Sequence, residues 1–135
     1  IKNQFTDETL LSVDAPTLAG INLAGAELAV ASLAACDLQG ANLEGANLAM
    51  ANLTNANLAG CNLRNANLAG VNLQQANLKA ASLQGANLKG AHIEDAILAD
   101  VRLEGANLTG ALLDKATFRD ANLRGCIGCP KPTMP

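Results

Sequence analysis

Ala41-Asn42-Leu43-Glu44-Gly45-Ala46-Asn47-Leu48 states the unit of this chain: Ala-Asn-Leu, two variable residues, then Ala-Asn-Leu again. Counted outward in fives, the Leu recurs from Leu18 to Leu123 without a slip. Of these 22 positions 20 are Leu, and the others are Ile93 and Phe118. Two residues before each sits a small or apolar side chain, Ala in 16 of the 22 and otherwise Pro16, Ile21, Cys36, Cys61, Val71 or Val101. The residue just before is Asn in 12 of the 22. Repetition at a short fixed period specifies a solenoid before any local reading is made.

A period of five suits neither a helix face, which recurs at 3.6, nor a continuous strand face, which recurs at 2. It suits a short extended piece followed by a turn. With the Leu at position i, the side chains at i−2 and i point the same way, inward, and those at i−1, i+1 and i+2 are left outside. Position i+2 holds 11 of the 12 glycines, with Asn55 and Asn65. This is the chemistry of the third residue of a type II turn, which needs positive φ. Repeats with Val30, Ala35, Met50, Gln75 or Ala80 at that position are expected to take type I turns instead.

The Ala-Asn-Leu-x-Gly unit resembles the pentapeptide-repeat family, over roughly residues 11 to 125, and its Ala-Asn-Leu runs most resemble the cyanobacterial and plastid members. The resemblance implies an all-β fold, a right-handed quadrilateral β-helix with four repeats per coil. The 22 units then make about 5.5 coils. The expected organisation is an N-terminal cap over 1–15, the β-helix over 16–125, and a C-terminal cap or tail over 126–135. In the first of these, Thr6 is a candidate N-cap, with Asp7 and Glu8 at the positive end of a short helix and Phe5 and Leu10 as its staple. Leu10, Leu11 and Val13 are then placed over the open first coil. After Leu123 the pattern ends: Gly128 stands where the next Leu belongs, and Pro130, Pro132 and Pro135 oppose further pairing.

Cys36 and Cys61 fall at inward i−2 positions, on different faces and coils, and are expected to be small core residues without a mutual bond. Cys126 and Cys129 form C-x-x-C and are the candidate disulfide. Free thiols, or redox or metal work, are the alternatives; redox catalysis would want a helix N-terminus to lower a thiol pKa, and zinc would want four ligands. The chain begins with Ile, which fits a removed leader and export, with the periplasm or thylakoid lumen favoured over the cytoplasm.

No catalytic constellation stands out, and no cofactor or metal is expected. The one His, His92, lies at an outward position beside Glu94 and Asp95. The glycines are accounted for by turns, and the protein is read as a non-enzymatic scaffold or protein-interaction module. Its partner is expected to be another protein, with no nucleic acid and no membrane insertion, and the chain to be a monomer or a weak end-to-end or patch-mediated dimer. Two other functions are weighed. Some members of the family resemble B-form DNA and bind type II topoisomerases, but such mimicry needs dense negative charge, and the net charge is −3. The second is a redox role for Cys126 and Cys129.

Outward apolar residues give the candidate interface. Ala29, Val30, Ala34, Ala35, Ala49 and Met50 gather on adjoining faces of the early coils, and Ile97 and Leu112 replace outward Asn on neighbouring faces of a later one. Residues 20 apart are expected to stack, making Glu44–Arg64 and Glu104–Arg124 neighbours across coils.

Overall fold

The computed structural model describes residues 1–12 and 17–130. Parallel bridges join residues 20 apart all along it, from Asn22–Asn42 to Asn107–Ile127, so four repeats complete each coil. The i−1 residues thereby form four columns. One runs Glu27, Asn47, Asn67, Asn87, Asn107, Ile127, and the next Ser32, Asn52, Asn72, His92, Leu112. The others are Asp37, Asn57, Asn77, Ile97, Thr117 and Asn22, Asn42, Asn62, Ser82, Arg102, Asn122. Inside, the Leu and Ala positions from Leu28 to Leu108 stack into one core, and no polar side chain among the described residues is buried with them. Each sealed Leu contributes roughly 1.5–3 kcal/mol of burial.

The repeat Ala46–Met50 shows how the backbone is satisfied. The Ala46 amide closes the turn onto Leu43 O (3.0 Å), and the Asn47 amide donates up to Ala26 O (2.9 Å). The Leu48 and Met50 amides donate down to Asn67 O (2.8 Å) and Ala69 O (2.9 Å). The fifth amide, of Ala49, has no carbonyl to reach, and the Asn47 side chain takes it through Oδ1 at 3.1 Å. Asn at i−1 is thus a structural residue, supplying the acceptor that the coil geometry withholds. All 12 Asn of these columns do this, at 3.0–3.2 Å.

The turns differ from the sequence expectation. Val30, Ala35, Met50, Gln75 and Ala80 all have positive φ, between 57° and 61°. So do Asn55, Asn65, Asp95, Asp100, Lys115 and Asp120. Stacking is the reason. Down to the last coil, the central peptide of a turn donates to the central peptide of the turn below: Val30 to Ala49, Met50 to Ala69, Gly70 to Lys89, Gly90 to Thr109. A type I turn flips that peptide and would reverse one link of the column, leaving two turns unpaired. Keeping a side chain at positive φ costs about 1–2 kcal/mol, comparable with the hydrogen bonds a flip would forfeit.

The N-terminus is a further correction. Residues 1–12 carry no helix. Strand β1 (Lys2–Asn3) pairs antiparallel with β2 (Ala31–Ser32), and Lys2 also bridges Thr9. The side chain of Asn3 accepts the Phe5 and Thr6 amides (2.8 and 3.3 Å), and Asp7 turns the chain at φ 60°. A strand satisfies the open edge of the first coil through its backbone, which a helix cannot do. Leu10 and Leu11 do pack against the core, with Ile1. The expected placements of Val13 and Pro16, and of the tail beyond Pro130, lie outside the described residues.

Candidate functional site

The early candidate patch is shared with the chain's own N-terminal segment. The Gln4 amide donates to Val30 O (2.9 Å), and Gln4 Nε2 donates to Met50 O (2.7 Å). Ala29, Val30 and Ala49 are half-buried there, and Ala34 and Ala35 are exposed. Met50 is 56% exposed but lies along the column over Gly70, where a Cβ would collide with its sulfur. Phe5, 73% exposed, extends from the hairpin.

At the other end, Ile97 and Leu112 occupy outward i−1 positions of two neighbouring columns, 45% and 50% exposed. The sequence reading missed Ile127, which is 59% exposed at the foot of the column beside Leu112. Its signal was available: it is one residue before Gly128, hence in the i−1 register.

These residues stand where the Asn caps fail. Among the described residues the i+1 amide has no i−1 side-chain acceptor in the repeats of Glu27, Ser32, Ser82, His92, Ile97, Arg102, Leu112 and Thr117. In three of them the i+1 residue is a Gln or Glu. Gln84 Oε1, Glu94 Oε1 and Glu104 Oε2 are buried there without a hydrogen-bond partner. For Glu94, burial opposes ionisation, but the Gln74 amide, Glu94's own backbone amide and His92 outweigh it and hold the carboxyl below its usual range. Gln74 Nε2 donates to Glu94 Oε2 at 2.9 Å, and His92 Nδ1 lies 3.6 Å from Glu94 Oε1.

The expected cross-coil ion pairs do not form. Among the described residues the ion pairs are the exposed Arg119–Asp120 and, only when the imidazole is protonated, His92–Glu94. Glu44 instead accepts from Asn62 Nδ2 at 3.2 Å, because that amide lies nearer on the same wall.

Cys61 is sealed in the core, and its thiol donates to Leu38 O at 2.8 Å. Burial pushes its pKa up to about 11, against the lowering effect of the Ala41 and Gly40 backbone and with Asp37 adding to the rise. Cys36 is half-buried, and its pKa too is raised by burial, partly offset by the N-terminal charge. Cys126 and Cys129 are joined in a disulfide under the last coil. Among the described residues no group of three or more His, Cys, Asp or Glu could hold a metal ion, and no helix is long and apolar enough to cross a membrane.

Stacked coils of four five-residue repeats around a Leu core define a β-helical solenoid of the right-handed type. The chain belongs to the pentapeptide-repeat family, whose model, "Pentapeptide repeats (8 copies)", matches residues 17–48, 46–85 and 96–127. Among solved structures it is similar to a pentapeptide repeat protein from the thylakoid lumen of Arabidopsis thaliana. The two are 25% identical over 87% of this chain and 68% of that one, with a TM-score of 0.53. HetL of Nostoc sp. strain PCC 7120, a pentapeptide repeat protein involved in heterocyst differentiation regulation, is 34% identical. That match covers 79% of this chain and 61% of HetL, with a TM-score of 0.45. No curated protein matches the chain.

Proposed function

We propose that this protein is a non-enzymatic scaffold that presents a rigid side wall to a protein partner, with Ile97 and Leu112 at the centre of the contact and Ile127 at its margin. The observation that carries the reading is the exposure of Ile97, Leu112 and Ile127 at i−1 positions that elsewhere hold polar residues, in 12 of the 22 repeats a structurally employed Asn. A wall maintained only for folding would keep the cap. Apolar side chains there weaken the local backbone and gain nothing inside the molecule, so they are suited to a surface that is covered in use. The Ala29, Val30, Ala34, Ala35, Ala49 and Met50 patch ranks second, because the N-terminal hairpin already binds its edge.

The reading takes 1–15 as a cap, 16–125 as a four-sided tower of about 5.5 coils, and 126–135 as the closing segment. The disulfide and the lumenal neighbour support an oxidising compartment, the periplasm or thylakoid lumen. The double substitution Ile97→Asn and Leu112→Asn restores the repeat consensus without touching the core, and tests the surface. A protein captured by the wild type should be lost with the double variant. Its retention by the variant would contradict this surface. A topoisomerase supercoiling assay separates the scaffold from a DNA mimic: no inhibition is expected, and inhibition at low protein concentration would favour the mimic.

A further inference from the structure

The last described repeat lacks what holds every other one in place. Its Leu position is Gly128, at φ 74°, and a Cβ there would lie 2.8 Å from Thr109 N and 2.9 Å from the Leu108 carbonyl carbon. The chain therefore lies backbone against backbone on Leu108, with no side chain entering the core. What remains is the Cys126 turn bond to Leu123 O (3.0 Å) and two links to the coil above. The Ile127 amide donates to Ala106 O (2.9 Å), and the Leu108 amide donates to Ile127 O (2.7 Å). Around these links closes the Cys126–Cys129 disulfide, both cysteines half-buried against the end of the core. It spans so few residues that it constrains the unfolded chain little. Its effect falls on the folded end, where it clamps a segment that its own contacts hold weakly.

We propose that Cys126–Cys129 is a thiol–disulfide exchange site for a protein dithiol, and that its reduction releases residues 126–130 from the foot of the tower. One thiolate of the dithiol attacks a sulfur of the pair, the S–S bond breaks, and a mixed disulfide forms. The second thiol of the reductant then displaces the remaining cysteine. Two electrons and two protons have passed to Cys126 and Cys129, which leave as thiols, and the reductant leaves as a disulfide. No helix among the described residues adjoins the pair to lower a thiol pKa, so it is fitted to be a substrate of a dithiol oxidoreductase and not a catalyst itself. Release frees the Leu108 amide and the Ala106 carbonyl, a coil edge able to accept another strand.

Dithiothreitol serves as the probe dithiol, with native-state hydrogen exchange as the readout. Reduction without denaturant should speed exchange at Leu108 and Ile127 by about tenfold or more, with Leu68 and Leu73 unchanged. The double variant Cys126→Ser and Cys129→Ser should show the fast pattern without reductant. Resistance of the folded protein to dithiothreitol, or unchanged exchange after reduction, would overturn the proposal. So would loss of protection along the whole tower, which would make the bond a global staple.

Discussion

The coils over residues 41–90 and the coil and a half over 91–120 share one core and differ on their walls. Of the ten i−1 positions from Asn42 to Asn87, only Ser82 departs from Asn; of the six from His92 to Thr117, only Asn107 keeps it. In the first region nearly every i+1 amide is capped and the Asn side chains are half-buried in their columns. In the second, His92, Ile97, Arg102, Leu112 and Thr117 stand exposed beside uncapped amides. The core repeat is thus sufficient for the coil, and the Asn cap is an added device that one stretch has given up. That stretch is where the wall carries apolar side chains.

Substitution in the shared core should produce the largest effect and leave the two regions alike. Leu68→Asp places an unpaired charge in the sealed stack and should abolish cooperative thermal unfolding. Lys79→Ala and Lys89→Ala on the wall should shift stability by less than about 0.5 kcal/mol. Equal shifts for inward and outward sets would break the fold assignment itself.

The wall comparison is sharpened by removing one cap from each region. Asn67→Ala should cost about 1 kcal/mol in urea unfolding, since it orphans the Ala69 amide. Thr117→Ala, which removes no acceptor, should cost almost nothing. Similar losses at both sites would mean that Asn is retained for something other than capping.

Turn strain gives a smaller effect. Ala80→Gly relieves a side chain held at φ 60°, and the gain should be a few tenths to about 1 kcal/mol after the added freedom of the unfolded chain is subtracted. A loss of stability would show that the strain argument is wrong.

Acid titration should give the smallest effect, in the wall of the second region. The Glu94 carboxyl is held below its ordinary value. The stability it adds is therefore complete above the unfolded value of about 4.3 and is lost as pH falls through the folded one. Wild type should lose slightly more stability than Glu94→Gln between neutral pH and acid, and identical pH profiles would contradict the assignment.

The inward half of each repeat was legible in the sequence because burial is a composition signal: Leu at i and Ala at i−2 leave no other reading. The outward half was legible only where a residue acts alone. The role of Asn at i−1 depends on an amide two residues later that no carbonyl can reach, a fact of coil geometry and not of local propensity. Val30 and Ala35 misled for a related reason: their intrinsic dislike of positive φ is overruled by the peptides stacked beneath them. The N-terminal signals at Thr6, Asp7 and Glu8 were locally sound for a helix, and the edge of a distant coil at Ala31–Ser32 outweighed them. Ile97 and Leu112 could be picked out as outward and apolar. Their coincidence with the broken caps could not be seen before the caps were understood.

Site-resolved amide hydrogen exchange on the native protein tests the division of the wall most directly. Amides of Ala49, Ala69, Gln74 and Lys89, each bonded to an Asn side chain, should exchange about tenfold or more slowly than those of Ala99, Asp114 and Arg119 in the uncapped repeats. Equal rates in the two sets would contradict the claim that the Asn columns complete the coil and that the later coils have surrendered that function to their surface.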